Sequence, residues 1–423
     1  MKNFLRKNIL YKIYKKFRSK FAAWINWYPS KSMKIIWITW TDGKTTTANL
    51  IHTIINDNLW KAVLLSTSTI RFWKEEFPNE YKMSSMDPME LHTILSKAKE
   101  EYWCEYAVLE VTSHWIDQFR FNDIEFDLWV LTNITEEHLD YHKTLDEYAN
   151  VKKRLFQSII KNLKPIKWAI LPKDSEFWRK WIEELPFDKD IDYWVATNAT
   201  LKWENIKLFS DHTEFDIKYL WKNYPVNAYL LWEFNVQNIL ASVWVWIILW
   251  ISITNIIKSI QWFKKLTWRQ ERVDADWIIY FIDFAHTPNW LESILKFLSK
   301  IKWDWKIITV FWAPWNRDKY KRPKMWKIVE KYSDVFVVTD DDPDTENRYD
   351  IINQVVKWIS KIEWEDFYII PERYFAIKFV TEIAKKWDIV LLAGKWHEMI
   401  QLTNFWKRKW NDRDVLEDIL NNK

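Results

Sequence analysis

Glycine is nearly absent from this chain, with 2 copies in 423 residues, where ordinary usage is roughly 7%. Taken literally, that leaves almost no residue able to adopt φ > 0 without strain. Tight hairpins, left-handed helix caps and close backbone approach to a ligand are then excluded nearly everywhere. Tryptophan shows the opposite anomaly, with 34 copies. Together the two make about 8.5% of the chain, near what glycine plus a little tryptophan ordinarily amounts to. The composition points to tryptophan standing where glycine belongs, as when UGA codons that mean glycine are translated as tryptophan. A UGG codon at position 40 would establish the alternative, a truly tryptophan-rich protein.

Other absences narrow the class. One cysteine, Cys104, excludes an internal disulfide framework and suits a reducing cytoplasm. The net charge is only +4, from 62 basic and 58 acidic residues, so no global field argues for nucleic acid. The N-terminus lacks a continuous apolar run with a small-residue cleavage site, so no signal peptide is expected. Residues Ile239 to Thr254 carry no charge but are too few to span a bilayer. With Trp244, Trp246 and Trp250 read as glycine they describe an ordinary packed helix.

What is present is organised around residues 34–50. A short apolar run, Lys34 to Thr39, predicts a strand, and Thr41-Asp42-Gly43-Lys44-Thr45-Thr46 turns from it into a helical pattern. That is the layout of a phosphate-binding loop. Backbone N–H groups at a helix start cradle phosphate oxygens, Lys44 reaches the β/γ-phosphates and the Thr45 hydroxyl suits Mg²⁺. Trp37 and Trp40 stand where such a loop needs glycine, and indoles there are expected to fill the nucleotide pocket.

Along the rest of the chain, residues 1–20 hold eight Lys/Arg and no acid, interleaved with apolar residues at helical spacing. The expectation is either peripheral contact with an anionic membrane or a helix packed on the body with a solvated basic face. Strands are predicted at Ala62–Ser66, Tyr106–Glu110 and Asp127–Asn133. Glu110, at a strand end beside the loop, is placed to serve Mg²⁺, or else caps or pairs locally. His138 and His142 have zinc-like spacing without an obvious third ligand. Lys152 and Lys153 fall in a helical stretch where lysines ordinarily face solvent. Further strands at Ile278–Asp283, Ile307–Phe311, Val335–Thr339 and Ile389–Leu392 alternate with helices, predicting a Rossmann-like parallel sheet.

The stretches WITWTDGKTTT, LEVTSHWIDQFR, LTNITEEHLDYHKTLDEYANVKKRLF, WEFNVQNILA, WRQERV, FIDFAHTPNWLESIL, FWAPWNRDKYKRPKMW, TDDDPDTEN and AGKWHE occur in that order. In this they resemble the Mur ligases, and within them the branch that adds the third amino acid to UDP-N-acetylmuramoyl-dipeptide. At Trp37, Trp40, Trp115, Trp232, Trp268, Trp290, Trp312, Trp315, Trp326 and Trp396 the family pattern has glycine, in keeping with the composition. The resemblance implies an α/β protein: a basic N-terminal segment 1–32, a central P-loop ATPase-type parallel-sheet domain 33–267 and a C-terminal Rossmann-like α/β domain 268–423.

It also implies ATP, Mg²⁺ and a chemistry in which a carboxylate becomes an acyl phosphate that an amine attacks, in peptidoglycan biosynthesis. By resemblance, Thr41 to Thr46 with Asn133, Asn238, Arg269 and Asp283 serve the nucleotide. Thr45, Glu110, His138 and a carbamylated Lys152 serve the metal, and Lys44 acts with them in catalysis. Ser84, Ser85, Thr112, Gln118 and Arg120 match positions that hold the muramoyl peptide; His286 matches the family's Asp-x-Ala-His-x-Pro motif. Arg317, Asp341, Asp342, Asp344, Gly394 and Glu398 match the site for the incoming amino acid. The implied partners are a UDP-muramoyl-dipeptide and lysine or diaminopimelate, with no nucleic acid and a monomeric enzyme in the cytoplasm.

Three departures bear on substrate. Ser84-Ser85-Met86 replaces the commoner Thr-Thr-Pro. Asp344 stands where diaminopimelate enzymes carry arginine; an aspartate repels a distal carboxylate and pairs with an ammonium, which favours lysine or another diamine. The match starts near residue 33, so the family's N-terminal domain, which helps bind the uridine end, is expected to be missing. The rival readings are another Mur-type ligase, such as a folylpolyglutamate synthase-like enzyme, and, if the tryptophans are real, a nucleotide-binding scaffold without catalysis.

Overall fold

The computed structural model describes residues 9–39, 43–67, 69–79, 86–131, 144–160, 168–172, 184, 189–193, 201–263, 271–283, 285, 287–312, 321–340, 347–356, 359–394, 400–402 and 407–422. The chain divides into two compact units. The first comprises Met1–Lys207, Thr213–Tyr229 and Phe234–Lys264; the second comprises Leu208–His212, Leu230–Glu233 and Lys265–Lys423.

The first unit is built on an 11-stranded sheet. Its strands are β1 (Lys34–Thr39), β2 (Ala62–Leu65), β3 (Thr69–Phe72), β4 (Glu75–Pro78), β5 (Tyr106–Val111), β6 (Leu128–Leu131), β7 (Trp168–Pro172), β8 (Lys189–Tyr193), β9 (Leu201–Leu208), β10 (Thr213–Tyr219) and β11 (Lys222–Ala228). They lie in the order β11-β10-β9-β8-β7-β6-β1-β5-β2-β3-β4. β1 pairs in parallel with β5 on one side and β6 on the other. All of β1 after Lys34 is buried, as expected of an apolar parallel strand covered on both faces. Trp37 points into that core, with Phe126, Phe121 and Trp129 ring centroids 4.0, 5.1 and 5.1 Å away. It therefore does not fill the nucleotide pocket as expected; Trp40 lies outside the described residues.

Among the described residues, five α-helices of this unit precede β7: α1 (Ile9–Ile25), α2 (Lys44–Asn58), α3 (Pro88–Glu100), α4 (Ser113–Asp117) and α5 (Leu145–Ile160). The charge-free stretch expected to form one helix is two, α6 (Glu233–Ile248) and α7 (Ile253–Trp262). The break has a local cause. Trp250 takes φ 64°, its N–H bonds the Ile247 carbonyl, and the Ile251 N–H bonds the Trp246 carbonyl. That is the Schellman ending of a helix, and the Ser252 hydroxyl then caps the next one by accepting from the Asn255 N–H.

The second unit carries a six-stranded sheet in the order β12-β13-β17-β14-β15-β16. These strands are β12 (Glu271–Ala275), β13 (Ile278–Asp283), β14 (Ile307–Trp312), β15 (Val335–Thr339), β16 (Phe367–Ile369) and β17 (Ile389–Ala393). All pair in parallel except β12, which is antiparallel to β13. The four predicted strands are all present, and their carboxyl ends lie along one edge.

Among the described residues, fourteen non-glycine residues have positive φ and nine are tryptophan: Trp27, Trp73, Trp103, Trp221, Trp232, Trp250, Trp277, Trp364 and Trp387. Two sit in two-residue hairpin loops, Leu220-Trp221 and Asp276-Trp277, with φ of 47° and 67° and of 52° and 66°. Both positions of such a type I′ turn need φ > 0, and its second position is ordinarily glycine. The indole N–H groups of Trp37, Trp115, Trp246, Trp312 and Trp326 are buried without an acceptor among the described residues. A positive φ is the conformation that glycine adopts without strain, and a buried indole N–H ordinarily finds a hydrogen-bond partner.

Candidate active site

β1 ends at Thr39, whose hydroxyl donates to the Val111 carbonyl at 3.1 Å and so ties the tips of β1 and β5 together. Gly43 caps α2 in the left-handed region, φ 89°, and its carbonyl accepts from the Thr47 N–H at 3.0 Å. The first N–H groups of this 15-residue helix have no intrahelical partner by construction, and the dipole favours an anion there. A Cβ at Gly43 would run into the side-chain amide of Asn238. Asn238 is buried on α6 and donates to Asn235 Oδ1 at 2.9 Å. The chain thus brings two expected nucleotide residues, Gly43 and Asn238, into direct contact.

Beside the helix start lies a cluster of hard oxygens. The Thr45 hydroxyl is 3.2 and 3.1 Å from the two carboxylate oxygens of Glu110, and 3.3 Å from the hydroxyl of Thr67. The Thr67 N–H donates to Glu110 Oε2 at 3.0 Å. All three residues are buried, and in the β1–β5 register Glu110 stands opposite Ile38. The donor set fits Mg²⁺, a cation that takes oxygen ligands and needs few from protein when phosphates supply the rest. Among the described residues no group of three or more His, Cys, Asp or Glu side chains could hold a metal, so the fit rests on this oxygen set. Sequence reasoning missed Thr67; its signal was Ser66-Thr67 at the end of β2, a strand parallel to β5.

Of the expected peptide-binding residues, Thr112, Gln118 and Arg120 follow β5 in the chain. Thr112 is the N-cap of α4. The Arg120 Nε and Nη2 both donate to Gln118 Oε1, at 3.0 and 2.7 Å, and Nη1 donates to the Met86 carbonyl. Arg120 and Gln118 therefore act as one unit next to Met86. On α5, Lys152 and Lys153 are both buried rather than solvated. Lys153 pairs with Glu184, whereas the ammonium of Lys152 lies 4.2 Å from the centre of the Tyr148 ring. Arg154 anchors this helix to α4 by donating to Asp117 Oδ1 at 3.0 Å.

In the second unit Asp283 and Gly394 share the carboxyl edge of the sheet, where open α/β sheets bind ligands. Asp283 is buried; its Oδ1 accepts from the Ala285 N–H at 2.9 Å and from the Trp290 indole at 2.5 Å. The Gly394 N–H donates to the Asp283 carbonyl at 3.0 Å. At Gly394, φ 104°, a Cβ would fall on the Trp312 indole. Both indoles, Trp290 and Trp312, stand where the family pattern has glycine. The structure does not bring these residues together with the Thr45–Glu110 cluster within one unit. Thr41, Asp42, Ser84, Ser85, Asn133, His138, His142, Arg269, His286, Arg317, Asp341, Asp342, Asp344 and Glu398 lie outside the described residues.

Two family models match: the Mur ligase middle domain over residues 38–246 and the Mur ligase glutamate ligase domain over residues 268–396. A UDP-N-acetylmuramoyl-L-alanyl-D-glutamate–2,6-diaminopimelate ligase of Parabacteroides distasonis is 32% identical over 397 residues, covering 93% of this chain and 79% of that protein. A solved structure of a ligase with the same name, 25% identical, superposes with a TM-score of 0.67 over 96% of this chain and 83% of its own. A Mycobacterium tuberculosis folylpolyglutamate synthase reaches a TM-score of 0.72 over 90% of this chain and 92% of its own, at 14% identity, and shows the fold alone. With both domain models in order and relatives matched along nearly its whole length, the chain belongs to the Mur ligase family of ATP-dependent ligases.

Proposed function

We propose that this protein is an ATP-dependent amide ligase that adds a diamino acid as the third residue of UDP-N-acetylmuramoyl-L-alanyl-D-glutamate, through an acyl phosphate. The observation that carries the reading is the Gly43–Thr45–Glu110–Thr67 arrangement, a helix start open to phosphate with buried hard oxygens beside it. ATP would supply the phosphoryl group, and Mg²⁺, when bound, would neutralise the charge that develops on it. Lys44 and the amides after Gly43 hold the phosphates, Thr45 and Glu110 hold the metal, and Arg120 with Gln118 orients the peptide carboxylate. By the family resemblance, Asp283 serves the nucleotide and Gly394 the incoming amino acid.

Lys152 is read as carbamylated. Its complete burial supports this, because an enclosed ammonium carries a desolvation cost, and a carbamate is an oxygen-ligand anion of the kind Mg²⁺ takes. The diamino acid is argued from both sides: the Parabacteroides distasonis relative is a diaminopimelate ligase, and Asp344 suits a second ammonium. The single cysteine, the buried Cys104, is in keeping with a reducing, cytoplasmic setting. We also infer that glycine is the natural residue at the nine tryptophans with positive φ and at Trp290 and Trp312.

The test is phosphate release by protein carrying glycine at those positions and at the ten where the family pattern has it, Trp40 included, given ATP, Mg²⁺ and the UDP-muramoyl-dipeptide, with lysine or diaminopimelate added in turn. Release that needs both the dipeptide and one amino acid is expected, and it names the amino acid. Release with neither acceptor, or none with either amino acid, would overturn the reading.

A further inference from the structure

The N-terminal helix packs the wrong way round for a helix that only completes a core. Its buried residues are Ser19, Ala22 and Ala23, and it is fastened to the start of α3 by the Arg18–Asp87 ion pair at 2.7 Å and by Asn26 against Met89. Those small residues lie on one side. At about 100° per residue, Leu10, Ile13, Tyr14, Phe17, Phe21 and Trp24 fall within a single stripe on the opposite side. Every one of them is exposed, Leu10 at 71% and Phe17 at 67%. Phe17 and Phe21 stack on each other with centroids 6.3 Å apart, so the stripe is continuous.

Charge frames the stripe. Lys20 borders it on one edge and Arg18, which also pairs with Asp87, on the other, and the residues Met1 to Lys20 contain no acid. An outward apolar face with cationic borders matches a surface that is apolar inside and anionic at its rim. That describes a bilayer of anionic lipid with the helix lying in its plane, the apolar side chains in the acyl boundary and the lysines at the headgroups. Among the described residues no helix is long and apolar enough to cross a membrane; in-plane binding needs none.

We propose that α1 docks this enzyme on anionic lipid bilayers through the Leu10–Phe17–Phe21 face. The stripe does not depend on Trp24, a position that the composition also allows to be glycine. The full chain is sedimented with vesicles of phosphatidylcholine alone and of phosphatidylcholine with about 30% phosphatidylglycerol, at low and high salt, while light scattering gives its oligomeric state. Binding to the anionic vesicles that weakens with salt is expected. The exposed double variant Phe17→Glu/Phe21→Glu should bind at least about tenfold more weakly, with unchanged circular dichroism, while Phe17→Leu/Phe21→Leu keeps binding. No vesicle binding by the parent, equal binding by the Glu variant, or salt-insensitive binding to both vesicle types would overturn the proposal. A dimer that the Glu variant converts to monomer, without vesicle binding, would assign the face to a second copy of the chain and overturn it equally.

Discussion

Trp250→Gly should stabilise the first unit. Trp250 occupies the left-handed position that ends α6, with φ 64°, and its side chain is 93% exposed. Both hydrogen bonds of this helix ending run through backbone, Trp250 N–H to Ile247 and Ile251 N–H to Trp246, so removing the indole breaks neither and uncovers little apolar surface. What changes is the backbone energy. A side chain in the left-handed region costs roughly 1–2 kcal/mol, and glycine returns part of this, about 0.5–1 kcal/mol, through its freer unfolded chain. The net gain is about 1 kcal/mol, or roughly 2–4 °C in the melting temperature of a unit this size. Urea and thermal melts followed by circular dichroism measure it. Trp250→Ala is the control, because alanine keeps the Cβ and hence the strain. Equal gains for alanine and glycine, or no gain for glycine, would refute the strain account and weaken the case that glycine belongs at such sites.

The same geometry makes Gly43→Ala damaging: with φ 89° and Asn238 against the added Cβ, the phosphate loop must shift, and the KM for ATP in the phosphate-release assay should rise at least about tenfold. Thr45→Ala and Glu110→Gln each remove a hard oxygen from the metal cluster. Each should lower kcat/KM by about 100-fold and raise the Mg²⁺ concentration needed; a paired loss equal to the sum of the singles would argue that the two do not act on one ion. Lys152→Ala should abolish most activity, whereas Lys153→Ala, which breaks the pair with Glu184, should spare most of it; full activity of Lys152→Ala would rule out the carbamate role. Burial lowers His52 to about 3 and His92 to about 4. Below about pH 6.5 the unfolded chain therefore binds protons that the folded chain does not, and stability should fall as pH drops from about 6.5 towards 4. The loss is about 2 kcal/mol for each histidine at about pH 5; His92→Leu should flatten that slope in urea melts compared between neutral and mildly acidic buffer.

Much of the first unit's centre was legible because local pattern and local structure coincide there. The apolar run Lys34–Thr39, the turn at Gly43 and the helix after it are one continuous stretch, and the acid closing Tyr106–Glu110 sits on the neighbouring strand. The Trp37 reading went astray because the pattern says a position is special but not which way its side chain points. In the structure the indole is enclosed by Phe121, Phe126 and Trp129, residues far off in the chain. The single helix read over 239–254 failed for a related reason: reading Trp250 as glycine suggested plain packing, whereas its φ > 0 ends one helix and lets Ser252 begin another.

By itself the sequence determined the α/β alternation, the phosphate loop, the order of motifs that identifies the family, and the glycine deficit whose counterpart is the run of tryptophans at positive φ. All of these are written in composition or in spacing along the chain, where 2-residue and 3.6-residue periods report burial directly. Only the tertiary structure decided that Asn238 abuts Gly43, that Thr67 joins Thr45 and Glu110, that Lys152 is wholly buried, and that α1 turns its small residues inward and its aromatic stripe outward. Each is a contact between segments distant in sequence, and which face of an element is covered depends on the neighbour that covers it, not on the element's own pattern.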